Sequence, residues 1–165
     1  MKIKTIIILL TIVFITFLIY IFNKDEKIYV LSLGKNESNS SYIDALKQKL
    51  KENNLLEQNI NITKDLNQIL EDINQNKTVQ TRTMKNHLIK ADIIIVTTTS
   101  NKENINELLK EIKKYSKEKI ILIGENTSDN IKISRKYEVE FIKKNLNQDQ
   151  IYENIYEIIE ENLIK

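Results

Sequence analysis

Three short runs in this chain, Ile28-Tyr29-Val30-Leu31-Ser32-Leu33, Ile93-Ile94-Ile95-Val96 and Ile120-Ile121-Leu122-Ile123, are apolar with hardly a break and rich in β-branched residues. A strand with one wet face alternates apolar with polar residues, whereas a run that does not alternate has both faces covered, as in a parallel sheet packed between helices. Gly34 and Gly124 close the first and third runs and mark turns.

Elsewhere the apolar residues recur at spacings near three and four, the helical period. Tyr42, Ile43, Leu46, Leu50 and the pair Leu55-Leu56 form one such set, with Ser41 and Asp44 placed as a capping box. Further sets are Leu66, Ile69, Leu70 and Ile73, then Ile105, Leu108, Leu109 and Ile112, and last Ile151, Tyr152, Ile155, Ile158, Ile159 and Leu163. Weaker strands are expected at 60–63 and 139–142, a loop over 74–81, a helix over 84–90, and a loop or short helix over 129–137. Five strands alternating with helices predict an α/β fold, a three-layer α/β/α sandwich around a five-stranded, mostly parallel sheet.

At 165 residues the chain has room for one such domain, since a second would need roughly 100 residues of its own. The first 22 residues are of another kind. Residues 5–23 carry no charge, and 6–22 are apolar except for Thr11 and Thr16. That length is sufficient to cross a hydrocarbon core of about 30 Å. Lys2 and Lys4 precede it, so the positive-inside tendency keeps the N-terminus cytoplasmic and sends the rest across the membrane. Tyr20-Ile21-Phe22-Asn23-Lys24 offers no pair of small residues for a signal peptidase, which favours an uncleaved signal anchor. The expected organisation is a cytoplasmic tip at 1–4, a single-pass anchor at 5–22, a linker at 23–27 and an extracytoplasmic domain at 28–165.

The residue inventory excludes several chemistries. With no Cys and a single His, there is no disulfide framework, thiolate or His-rich metal site, or Cys nucleophile. Without Lys2 and Lys4, residues 23–165 hold 23 basic and 23 acidic side chains, which argues against a nucleic-acid face. Lys110, Lys113, Lys114 and Lys117 interleave with Glu107, Glu111 and Glu118 and read as a solvated helix face. Glu157, Glu160 and Glu161 are not spaced as a metal cage, so neither a metal nor a cofactor is expected.

In an open parallel sheet the ligand site lies beyond the carboxyl ends of the strands, where the strand order reverses. The loops there should be Gly34 to Ser41, Thr97 to Glu103 and Gly124 to Asp129, all rich in hydroxyls and amides and without an obvious general base. Strand three ends in Thr97-Thr98 and offers no Asp to phosphorylate.

The order of elements resembles the SGNH (GDSL-type) hydrolase superfamily. Tyr29-Val30-Leu31-Ser32-Leu33-Gly34 is similar to that family's first strand, which ends in Gly-Asp-Ser. Tyr42-Ile43-Asp44 opens the first helix, Asp65-Leu66 the second, and Leu88-Ile89-Lys90-Ala91-Asp92-Ile93-Ile94-Ile95 leads to a loop whose Asn101 matches the Asn of the family's Gly-x-Asn-Asp. The resemblance implies that Asn101 is an oxyanion-hole position and that Asn36 stands where the nucleophile Ser would be. An amide cannot attack an ester. The family's Asp-x-x-His should fall within 139–150, which contains no His. Losing nucleophile and base together removes most of the rate of such a reaction.

The expectation is therefore a degenerate SGNH-like pseudoenzyme with a possible ligand groove at Asn36, Ser38 and Asn101, binding a cell-envelope protein or glycan. Two alternatives remain open. One is an active SGNH-type esterase with a relocated nucleophile such as Ser38 or Ser40, although Ser40 or Ser41 equally suits a helix cap. The other is a flavodoxin-like module whose Ser38, Ser40 and Ser41 cradle a phosphate at a helix N-terminus. His87 reads as a helix-face residue rather than a catalyst.

Overall fold

The β-branched runs form the centre of a five-stranded parallel sheet in the structure, a computed structural model that describes residues 12–15, 27–34, 39–75, 79–98 and 104–163. In chain order the elements are β1 (Ile28–Leu33), α1 (Asn39–Glu52), β2 (Leu56–Ile62), α2 (Leu66–Asn74), α3 (Val79–Lys90), β3 (Ile93–Thr97), α4 (Ile105–Tyr115), β4 (Lys119–Gly124), α5 (Ser128–Tyr137), β5 (Glu140–Lys143) and α6 (Gln148–Leu163). The strands lie in the order β2-β1-β3-β4-β5, every pair parallel. This is the flavodoxin-like winding, with its reversal of direction between β1 and β3.

Both faces of the sheet are covered. Tyr29, Leu31, Leu33, Ile94, Val96, Ile120 and Leu122 pack against α2, α3 and α4 in one apolar cluster, joined at its rim by Ile133 and Tyr137 of α5. The alternate residues Ile28, Val30, Ile93, Ile95, Ile121 and Ile123 pack against Tyr42, Ile43, Leu46 and Leu50 of α1 and Ile151, Ile155 and Ile159 of α6. Period-two strand geometry divides each run between the two clusters, which is why no polar alternation was visible. The result is the expected three-layer sandwich.

Several boundaries differ from expectation. Leu55 and Leu56 do not extend α1. The helix ends at Glu52, Asn54 takes the left-handed conformation (φ 57°), and the Leu55 N–H donates to the Leu50 carbonyl, so Leu56 begins β2. Asn tolerates that conformation better than most residues because its short side chain can bond locally. Because α1 already begins at Asn39, Ser41 and Asp44 lie inside it and are not its capping box. The expected loop over 74–81 is partly helical, since α3 begins at Val79, and the segment at 129–137 is a helix throughout. The expected anchor at 5–22 lies outside the described residues except for 12–15, which are helical. Among the described residues no helix is long and apolar enough to cross a membrane.

Gly34 closes β1 at φ 133°, in the region that favours glycine, and a Cβ built there would stand 2.3 Å from the Thr97 carbonyl oxygen. The contact is with backbone, so a side chain at 34 must push β1 and β3 apart. Gly34→Ala should cost about 3 kcal/mol from backbone strain and overpacking together. The urea midpoints of parent and variant measure this, and equal midpoints would remove the close approach as a constraint.

Candidate functional site at the carboxyl edge of the sheet

Because the strands are parallel, every strand-to-helix connection leaves from one edge of the sheet. Three main-chain bonds hold that edge together. The Gly34 N–H donates to the Ile62 carbonyl (3.1 Å), the Thr98 N–H to the Ile123 carbonyl (2.9 Å) and the Lys144 N–H to the Gly124 carbonyl (2.8 Å). Thr97 and Thr98 are buried between them. The Tyr42 hydroxyl reaches in from α1 to within 3.1 Å of Thr97 Oγ1. Burial pushes the Tyr42 phenol up to about 12, against a smaller downward pull from the Thr97 hydrogen bond.

The helices that leave this edge are capped by their own short polar side chains. Asp65 accepts from the Asn67 N–H at the start of α2 (2.9 Å), Asn104 from the Glu107 N–H at the start of α4 (3.3 Å), and Thr127 from the Asn130 N–H at the start of α5 (3.2 Å). Each satisfies a donor that the first helical turn leaves open. The Asn104 N–H donates in turn to Asn67 Oδ1 (3.1 Å), which ties the start of α4 to α2.

Between α4 and α5 the edge opens into a cleft of about 540 Å³, lined by Ile105 and Asn106 on one side and by Thr127, Asp129, Asn130, Lys132 and Ile133 on the other. Asn130 is buried, with its Nδ2 donating to the Glu125 carbonyl (2.9 Å). Its amide lies over Gly124, where a Cβ would come within 3.2 Å of Nδ2 and 3.0 Å of Thr98 Cγ2. The expected loop Gly124 to Asp129 supplies Thr127 and Asp129 to this cleft, whereas Asn106 and Asn130 belong to no motif and the sequence does not single them out.

The predicted groove residues Asn36, Ser38 and Asn101 lie outside the described residues. The described residues that flank them, Gly34 and Asn39, and Thr98 and Asn104, are where β1 and β3 hand over to α1 and α4.

His87 stands at the other end of the sheet. It lies in the last turn of α3, and its Nδ1 is hydrogen-bonded to the hydroxyl of Tyr29, near the start of β1. Asp92 beside it accepts from the Tyr29 N–H at 2.7 Å. A shallower pocket of about 290 Å³ borders His87, with Ile60, Ile62 and the Lys64–Asp72 ion pair (2.7 Å) along its rim. The basic run on α4 is only partly a solvated face, because Glu111 is buried and paired with Lys114. Ser32, in the middle of β1, has a buried hydroxyl with no hydrogen-bond partner.

Among the described residues the carboxyl edge therefore offers hydroxyls, amides, the carboxylates of Asp65, Glu125 and Asp129 and lysine ammoniums such as that of Lys132, with no imidazole. Such a set can orient a polar ligand by hydrogen bonds. Fold and edge together define a doubly wound α/β domain of the flavodoxin-like order. No family model matches the chain, and no curated protein matches it. Among solved structures it is similar to a pilus assembly protein, CpaE, from Caulobacter crescentus, at a TM-score of 0.50 and 13% identity, covering 80% of this chain and 99% of that one. That likeness shows the fold alone.

The Tyr42 phenol generates a pH dependence. Its raised value means that the folded state prefers the neutral form, so the associated stability is fully present below the ordinary tyrosine value of about 10. It is lost as pH rises from there through about 12. Chemical denaturation across that window should show the parent losing about 3 kcal/mol more than Tyr42→Phe. Tyr29, Tyr152 and Tyr156 are also raised and contribute equally to both proteins. Parallel losses in parent and variant would contradict the assignment.

Proposed function

We propose that this protein is a membrane-anchored, extracytoplasmic SGNH-like domain without hydrolase activity, which acts by binding in cell-envelope assembly. The observation that carries the non-catalytic reading is the position of the sole imidazole of the chain. His87 is held by Tyr29, five residues before Gly34 on β1, or about 16 Å along the strand at about 3.3 Å per residue. A general base must lie within hydrogen-bond reach of the hydroxyl it activates, directly or through one water. Nothing of that kind faces the described part of the carboxyl edge.

The anchor rests on the uncharged run at 5–22, within which Ile12, Val13, Phe14 and Ile15 are helical and 49–61% exposed. Four successive exposed apolar side chains suit a lipid environment better than water. The SGNH likeness rests on the motif residues described above, and the strand order agrees with a flavodoxin-like scaffold. A pilus assembly protein has a similar fold, and the likeness reaches no further than that.

The test is fluorophosphonate labelling of the full chain in detergent, with mass spectrometry to locate any adduct. The expected outcome is no labelling of the folded protein. Stoichiometric labelling at Ser38 or Ser40 that disappears on unfolding would make the protein an active hydrolase and overturn the reading.

A further inference from the structure

One edge of the sheet, β2, carries few of the usual guards against further pairing. It bonds to β1 on one side and to no described strand on the other. Open strand edges recruit further strands unless they are short, charged, bulged or broken by Pro. The opposite edge, β5, is short and has Glu140 and Lys143 at its ends. In β2 the register slips opposite Ile28 and Tyr29, which sets Glu57 aside. From there Gln58-Asn59-Ile60-Asn61-Ile62 runs regularly against Tyr29 to Leu33, without a charge, a Pro or a Gly. The Ile62 carbonyl accepts from the Gly34 N–H, so the period of two turns the main-chain groups of Gln58, Ile60 and Ile62 towards β1 and those of Asn59 and Asn61 outward. The side chains are divided as well. Ile60 and Ile62 are half-buried on the face of α2 and α3, beside the pocket of about 290 Å³. Asn59, level with Val30, lies on the face of α1, and its Oδ1 is buried with no partner among the described residues. Buried polar atoms are ordinarily satisfied, and this exception stands at an open strand edge.

We propose that β2 pairs antiparallel with β2 of a second copy of this chain, about a two-fold axis at Ile60, so that the two sheets run into one. In this register Asn59 faces Asn61 of the second copy, and Asn61 faces its Asn59. These are the residues whose N–H and C=O point outward, and each such pair exchanges both of its main-chain bonds. Ile60 meets its own counterpart as the closer, non-hydrogen-bonded pair, about 4.5 Å apart at Cα, with Ile62 opposite Gln58. The apolar contact thus falls at the centre. On the other face the amide of Asn61, which holds both a donor and an acceptor, arrives about 5 Å from Asn59 at Cβ and supplies the donor that Asn59 Oδ1 lacks. Charge agrees too. Glu57 comes level with Thr63 of the second copy and next to its Lys64, so the charges nearest the pairing are opposite in sign. Moving the axis one residue either way would draw the displaced Glu57, or Thr63 beyond the end of β2, into the ladder. Every contact is made twice, as in an isologous dimer. The axis stands normal to the sheet, so both chains enter one membrane with the sheet lying flat over it; residues 23–27 span up to about 17 Å, against a helix layer of about 10–12 Å. The proposal goes beyond the binding reading above and does not depend on it.

The chain has no Cys, so a single introduced thiol reports on the pairing without background. The full chain in detergent should sediment as a dimer, and mild oxidation of Ile60→Cys should link the two copies, because that pair stands at bridging distance. Gln58→Cys should stay unlinked, since residue 58 and its counterpart are about 13 Å out of step along the strands. Asn61→Pro removes an N–H that points away from β1, so the fold should survive while the dimer weakens at least tenfold. Asn61→Lys, at the same exposed position, should weaken the dimer as much by guarding the edge, and it serves if the Pro variant does not fold. A monomeric parent, an unchanged dimer in a folded Asn61 variant, or Gln58→Cys linking as readily as Ile60→Cys would each overturn the proposal. A monomer whose Asn59 and Asn61 N–H groups exchange slowly with solvent would give the edge to another segment of this chain, and would equally overturn the second copy as its occupant. None of these readouts involves a reactive Ser, so the proposal and the non-catalytic reading fail separately.

Discussion

The pairing of β1 with β3 is the contact on which the rest of the fold depends. It is where the winding reverses, and four residue pairs from Val30–Ile93 to Leu33–Val96 join two strands that are buried on both faces. Those strands carry the apolar side chains of both layers, so an error of one residue in register would exchange the two sets. Gly34 fixes the end of this pairing, because only a residue without a Cβ lets the chain turn away against the Thr97 carbonyl. The contact also sets the shape of the carboxyl edge, since it brings Thr97 within reach of Tyr42.

How much of this was legible in the sequence followed from how one-sided each element's environment is. β1, β3 and β4 were readable because every residue of their cores is buried and selection for β-branched or aliphatic side chains acts along the whole run. β2 is an edge strand, Leu-Glu-Gln-Asn-Ile-Asn-Ile, with several exposed positions, so only its end around Ile60 and Ile62 carried a signal. Leu55 and Leu56 fall at helical spacing after Leu50, and nothing in the hydropathy reveals that Asn54 has turned left-handed between them. The first part of α3, Val79 to Thr83, is polar and β-branched, a composition that resembles a loop until it is packed. The site was less legible still. Asn106 and Asn130 are 24 positions apart in a chain rich in Asn, and which asparagines matter depends on what grips their other end.

The two edges of the sheet differ in chemistry for a reason rooted in the topology. Ionisable and aromatic groups that interact, Tyr29, His87 and Asp92, gather at the amino edge, where α3 runs into β3 through a short turn. There the Tyr29 backbone bonds to Asp92 in both directions, its N–H to the carboxylate and its carbonyl to the Asp92 N–H. This is a structural use of polar groups, closing a strand start that the ladder leaves incomplete. A hydrolase would need the imidazole at the opposite edge, and no change of rotamer carries a side chain across the length of a strand.

The cleft itself follows from a mismatch of dimensions. Neighbouring strands lie about 4.8 Å apart, whereas a helix with its side chains is about 10 Å across, so α4 and α5, which follow adjacent strands β3 and β4 onto one face, cannot both lie directly over their own strands. Lys136 and Tyr137 of α5 reach across to Asn106 of α4. A crevice at this place is thus a property of the fold, present whatever the lining residues are. What the fold does not dictate is that Asn106 and Asn130 should each be held by one end, Asn106 through its oxygen and Asn130 through its nitrogen. That arrangement requires Lys136, Tyr137 and the Glu125 carbonyl to be where they are, and it is at this level, below the fold, that the chain acquires a chemistry of its own.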